Sequence, residues 1–171
     1  FAAQSRNLVF DRIIMAFACL TGVRIEEGGS ATLRRMTIYG AGMVPDDSTA
    51  VVVAGGASAV IDRCVISGNR GFGVHCRSGG TVSVTCSDFF ANSAGNFSGC
   101  ADPTGTNGVI DLDPLFCDPA SLNFRLGASS PGRLATCGVM GAFGDAACGT
   151  AFADDIGRQL LRGTFSRRSL R

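Results

Sequence analysis

The sequence lacks lysine and tryptophan altogether and holds a single tyrosine, Tyr39, and a single histidine, His75. All fifteen basic residues are arginine, and fourteen acidic residues bring the net charge to +1. Without a basic surplus there is no electrostatic footprint for a phosphate backbone, which argues against nucleic acid as a partner. No apolar run approaches the roughly 18 residues needed to cross a bilayer, so no transmembrane segment is expected. The opening Phe1-Ala2-Ala3-Gln4 has neither an initiator methionine nor a charged-then-apolar signal pattern, and reads as a processed chain or an excised piece. CxxC pairs, Cys/His clusters and DxDxDG runs are also missing, so no metal site is expected.

What is present is a 171-residue chain, 46% hydrophobic and 17% charged, enough for one folded core with appendages. Eight cysteines, at positions 19, 64, 76, 86, 100, 117, 137 and 148, are many for a reducing compartment. Their even number permits up to four bridges and points to an exported protein.

The chain repeats itself. "LVFDRIIMAFA" (8–18), "ATLRRMTIYGA" (31–41), "AVIDRCVISGN" (59–69) and "SVTCSDFFAN" (83–92) align on their apolar positions, at offsets of about 23, 28 and 23 residues. A second series, "GVRIEEGGS" (22–30), "AVVVAGGAS" (50–58) and "GVHCRSGGT" (73–81), follows the same offsets. Short alternating runs broken by Gly-Gly and Asn are strand punctuation. A repeat of this length built of short strands is one coil of a parallel β-solenoid, with equivalent strands stacked at about 4.8 Å. The longer middle offset comes from "GAGMVPDDS" (40–48), a loop expected to swell out between coils.

Alternation assigns faces. The inward ladders are Ile13/Met36/Cys64/Ser87, Met15/Ile38/Ile66/Phe89, Phe10/Leu33/Ile61/Val84, Val23/Val51/Val74 and Ile25/Val53/Cys76. Outward, Asp11, Arg34 and Asp62 share one ladder, with Arg12, Arg35 and Arg63 on the next. Stacked opposite charges at strand spacing stabilise adjacent coils weakly, and the same face is the only charged pattern suited to a polysaccharide. Asp11, Arg34, Arg35 and Tyr39 are therefore the candidate binding residues. Tyr39 points outward and stands alone, a poor aromatic platform for sugars. Glycoside hydrolysis needs two carboxyls facing one ring, and Asp62 with Asp88 is the best available pair, with Arg63 a further catalytic candidate on the charged face. Neighbouring carboxylates such as Glu26-Glu27, Asp46-Asp47 and Asp154-Asp155 point to different sides of the chain. His75 is expected outward and solvated between inward Val74 and Cys76.

These coils resemble right-handed parallel β-helix repeats, the architecture of pectate lyases, polygalacturonases and many large bacterial surface proteins. Residues 86–148, with "DPLF", "NFRL", "SSP" and a final "CGVMGAFG", are similar to the closing segment of exported bacterial β-helix proteins. The resemblance implies an all-β fold, a right-handed β-helix with a C-terminal cap, and makes Cys100, Cys117, Cys137 and Cys148 the disulfide candidates. That pattern carries a cysteine directly after "SSP" where this chain has Gly132, so Cys148 becomes the nearer candidate partner for Cys137.

The expected organisation is β-helix coils over 1–99, a cap over 100–148 and a flexible or short-helical tail over 149–171. A solenoid's last coil exposes a strand edge and an open core. Leu115 and Phe116, bracketed by two Asp-Pro steps, are expected to fold over that mouth, with Phe124 and Leu126 continuing the seal. The open edge of the first coil argues for further coils upstream. The expected function is a non-catalytic extracellular or cell-surface module of a bacterium that binds glycans or other surface components and needs no cofactor. The alternative is a polysaccharide lyase or glycoside hydrolase; calcium enters as a possible cofactor only if it is a lyase.

Overall fold

The computed structural model describes residues 2–3, 7–42 and 48–148. The middle of the 40–48 loop, with Pro45, Asp46 and Asp47, and the whole tail from 149, with Asp154-Asp155, lie outside the described residues.

Strands from successive coils line up in three parallel sheets. The first holds β1 (Ala2–Ala3), β4 (Val23–Ile25), β7 (Val51–Val53), β10 (Phe72–Cys76) and β13 (Gly95–Ser98) in that order. The second stacks β2 (Leu8–Asp11), β5 (Ser30–Arg34), β8 (Ser58–Asp62) and β11 (Thr81–Thr85). The third stacks β3 (Ile14–Ala16), β6 (Thr37–Tyr39), β9 (Val65–Ser67) and β12 (Asp88–Phe90). Coil 1 contributes β2 and β3, coil 2 β4–β6, coil 3 β7–β9 and coil 4 β10–β12.

The register is the one the repeat dictates. Phe10 pairs with Leu33, Leu33 with Ile61 and Ile61 with Val84, while Met15, Ile38, Ile66 and Phe89 form a second rung series. Leu33, Ile38, Ile61, Ile66 and Phe89 are wholly buried in one apolar core. Ile13 departs from the expectation: it lies in the first of the described coils, with a neighbouring coil on one side only, and is exposed. Between the second and third strands of each coil the chain bends through a left-handed residue, Arg12, Arg35, Arg63 or Cys86 (φ 56°, 47°, 53° and 48°). This conformation is uncommon for such side chains. It recurs because each bend donates its amide to the next coil, as from Arg35 to the Asp62 carbonyl at 2.9 Å.

An internal asparagine ladder ties coils 2 to 4. Asn69 Oδ1 accepts the Ala41 amide at 2.8 Å, its Nδ2 donates to Asn92 Oδ1 at 2.7 Å, and Asn92 Nδ2 donates to the Ile66 carbonyl at 3.1 Å. Asn69 and Asn92 are both buried. Truncating one member strands the polar atoms it served, so Asn69→Ala is expected to cost about 1–3 kcal/mol in urea denaturation. A loss below about 0.5 kcal/mol, the scatter of ordinary surface substitutions, would show the ladder to be dispensable.

The end of the solenoid is closed differently from the sequence expectation. Residues 107–111 add one more rung beside β12: Cys86 donates to the Asn107 carbonyl at 2.9 Å, Phe89 to Ile110 at 3.0 Å, and Ile110 to Ser87 at 2.9 Å. This rung places Val109, 1% exposed, in the core cluster, and Val109 is the plug. Leu115 and Phe116 do not cover the mouth. From Leu112 onward the chain turns back along the outer face of the third sheet, as a strap. It contains the antiparallel hairpin of β14 (Phe116–Asp118) and β15 (Asn123–Leu126) and a single helical turn, α1 (Pro131–Leu134).

Phe116 and Phe124 rest on Tyr39 of coil 2, with ring centroids 5.8 and 5.2 Å away, and Phe17 of coil 1 meets the same ring at 5.7 Å. Further along, Gly141 donates to the Arg63 carbonyl at 2.8 Å and Ala142 to Thr37 Oγ1 at 3.1 Å. Thr37, Val65 and Asp88, an outward ladder by alternation, are buried in consequence.

Three disulfides form: Cys76–Cys100, Cys86–Cys137 and Cys117–Cys148. All four cysteines expected to bridge do so, but Cys137 takes Cys86 and Cys148 takes Cys117. The strap's return path explains this pairing, because it brings Cys137 back to the coil 4 bend instead of leaving it beside Cys148. Cys19 is free and exposed; Cys64 is free and buried, and burial pushes its thiol up to about 12, which makes it an inert core residue.

Candidate functional site

The outward charges organise themselves into ion pairs. Arg35 reaches back one coil to grip Asp11 with both branches of its guanidinium, Nε to Oδ1 at 2.9 Å and Nη2 to Oδ2. The hydrogen bond from Arg35 holds the Asp11 carboxyl below the usual range, helped by the nearby charges of Arg35, Arg34 and Arg12. Arg63 holds its own neighbour, Asp62, at 3.0 and 3.1 Å, and Thr85 Oγ1 donates to the other carboxylate oxygen of Asp62 at 3.3 Å. Arg34 stands between Asp11 and Asp62 on the ladder, its Nε buried with no hydrogen-bond partner among the described residues.

Asp62 and Asp88 are not brought together. Asp62 ends β8 in the second sheet, whereas Asp88 begins β12 in the third and is buried where the strap departs. Asp88 Oδ1 accepts the Leu112 amide at 3.2 Å, and its Oδ2 is buried with no hydrogen-bond partner among the described residues. Burial pushes the carboxyl up to about 7; the Leu112 N–H opposes the shift, and the charges of Asp111 and Asp113 add to it. His75 faces outward as expected but is half-buried, its ring 5.5 Å from that of Phe72.

A different site appears between the solenoid wall and the start of the strap. A cleft of about 340 Å³ opens there, lined among others by Tyr39, Ser67, Phe90, Asp113, Pro114 and Phe116. Its floor is the outward ladder Tyr39/Ser67/Phe90, contributed by successive coils in register. Its far wall is the "DPLF" step, shaped by an Asp turn in which Asp113 Oδ1 accepts the Leu115 amide at 2.9 Å. Ser67 is 2% exposed, and its Oγ has no hydrogen-bond partner among the described residues. A buried hydroxyl left without a partner is unusual and costly, and this one belongs to a residue that lines the cleft.

Tyr39 is therefore not the lone platform expected from alternation. It sits among Phe17, Phe116 and Phe124 and forms one side of the cleft with Phe90 across the floor. Ser67, Phe90, Asp113 and Phe116 went unrecognised in the sequence as site residues. The available signal was the outward ladder itself, where Tyr39 and Phe90 flank Ser67 on a face that should be polar if it met only water.

Three parallel sheets wound from short strands, an apolar interior and left-handed bends at coil spacing define a parallel β-solenoid with a lateral cleft. Residues 2–111 match the family model described as a right handed beta helix region, and the chain belongs to that family. No curated protein and no solved structure matches the chain.

Proposed function

We propose that the chain serves outside the bacterial cytoplasm as a non-catalytic β-helix module, and that its lateral cleft binds a sugar ring of a polysaccharide or cell-surface glycan. The cleft carries this reading: at about 340 Å³ it falls at the small end of the roughly 300–1,000 Å³ range of ligand sites. It also combines aromatic walls with a few placed polar groups, the usual composition for recognising a ring that is apolar on its faces and polar at its rim. Three disulfides favour an oxidising compartment. Among the described residues no helix is long and apolar enough to cross a membrane.

The charged ladder supports an enzyme less well. Asp11 and Arg35 satisfy each other, as do Asp62 and Arg63, and Asp88 lies beneath the strap. The test is a glycan array on the purified chain, run beside a product assay on polygalacturonate and alginate with and without calcium. Binding without products is the expected result. Ser67→Ala is expected to leave the fold intact, since its hydroxyl serves no partner, and to weaken binding several-fold. Shortened or unsaturated products that disappear in Asp62→Ala or Arg63→Ala would overturn the proposal and establish a polysaccharide lyase or hydrolase.

A further inference from the structure

If the cleft is the glycan site just described, its charge selects among glycans. We infer that it takes a sugar ring bearing a protonated amine, as in de-N-acetylated amino sugars, in preference to neutral or acidic rings.

Among the described residues lining the cleft, Asp113 is the one formally charged side chain and none is an arginine. One carboxylate oxygen serves the Leu115 amide, and the other, with no hydrogen-bond partner among the described residues, can accept from a ligand. Tyr39, Phe90 and Phe116 surround the same space, and aromatic faces beside a carboxylate attract a cation through their quadrupoles as well as its charge. The amine would pair with Asp113 at the open rim, the ring would lie against the aromatics, and a ring hydroxyl would reach Ser67 Oγ, the buried group that has no partner of its own. A uronate ring would set its carboxylate against Asp113, a like-charge contact that counts against binding. The cleft thus discriminates by attraction and repulsion at the same residue, while the hydroxyl and the aromatic walls serve any ring.

The experiment compares a glucosamine oligomer, its N-acetylated counterpart and an oligogalacturonate of the same length by calorimetric titration against the intact chain. The glucosamine oligomer is expected to bind about tenfold or more tightly than the acetylated one, because a charge-assisted hydrogen bond replaces a neutral contact. Asp113→Asn is expected to erase that difference by weakening the glucosamine oligomer about tenfold or more and the acetylated oligomer far less. Asn retains an oxygen for the Leu115 amide, so the turn survives the substitution. Raising the salt is expected to narrow the preference in the wild type and to have no such effect in the variant. Equal binding of the acetylated and free-amine oligomers would overturn the amine preference yet leave the cleft a glycan site. Tighter binding of the galacturonate would overturn the preference in the opposite sense. Failure of all three oligomers to bind would remove both this inference and the glycan reading beneath it.

Discussion

At pH 8 the wild-type protein is expected to be less stable than its Asp88→Asn variant by a few kcal/mol, with the difference closing as the pH is lowered towards 4. Burial where the strap leaves the coils raises the Asp88 carboxyl from 3.8 to about 7, against the pull of the Leu112 N–H. Between those two values the unfolded chain has released a proton that the native chain still holds. Native stability is therefore fully present below about pH 4, declines as the pH rises through 7, and levels off above. The displacement corresponds to on the order of 4 kcal/mol. An amide at this position keeps an oxygen for Leu112 and cannot ionise. Denaturant titrations of both proteins at pH 4, 6 and 8 read the effect directly, and the comparison cancels contributions from His75 and from the outward carboxylates. Parallel stability profiles would mean that Asp88 reaches solvent when ionised, and the account of its burial would be wrong.

Replacing Cys86 and Cys137 together by serine is expected to release the strap from the wall. Of the three bridges this is the one that joins the coils to the strap beyond the hairpin: Cys117–Cys148 closes within the strap, and Cys76–Cys100 ties coil 4 to the closing segment. The bridge spans 51 residues, and the chain-entropy argument assigns such a loop on the order of 4 kcal/mol. The readout is built into the composition. With no tryptophan and one tyrosine, all the tyrosine emission comes from Tyr39, which lies under Phe116 and Phe124. Acrylamide is expected to quench that emission more strongly in the double variant than in the wild type. A destabilised variant whose tyrosine stays equally protected would show that the aromatic cluster alone seats the strap, and that the bridge acts only on the unfolded chain.

The coils were legible in the sequence because their physics is local and repeated. An apolar residue at Phe10, Leu33, Ile61 and Val84 can occupy one rung only if the period is right, and a slip by one residue would send the whole set outward. The strap was not legible, because nothing in "DPLF" says which surface it will meet. Tyr39 and Phe116 are far apart in sequence, and the same apolar residues would suit a lid over the core mouth equally well. Two outward rungs did carry a trace of the answer. Val65 is apolar on a face that alternation turns to solvent, and Cys86 occupies the bend where the preceding coils place Arg12, Arg35 and Arg63. An outward valine asks for a cover and an outward cysteine asks for a partner; the strap supplies both. The cleft was hidden for the same reason, since half of it belongs to the strap.

The strap also changes how the coils fail. In a plain solenoid each coil touches only its neighbours, stability is close to a sum of nearest-neighbour terms, and the array can peel from an end. Here one segment is fastened to coil 4 at Cys86, to coil 3 at the Arg63 carbonyl, and to coil 2 at Thr37 and Tyr39. None of coils 2 to 4 can loosen without costing the strap a contact, and a loosened strap withdraws support from all three at once. The one-dimensional stack becomes a laced one, so its melting is expected to be a single cooperative event in place of progressive fraying.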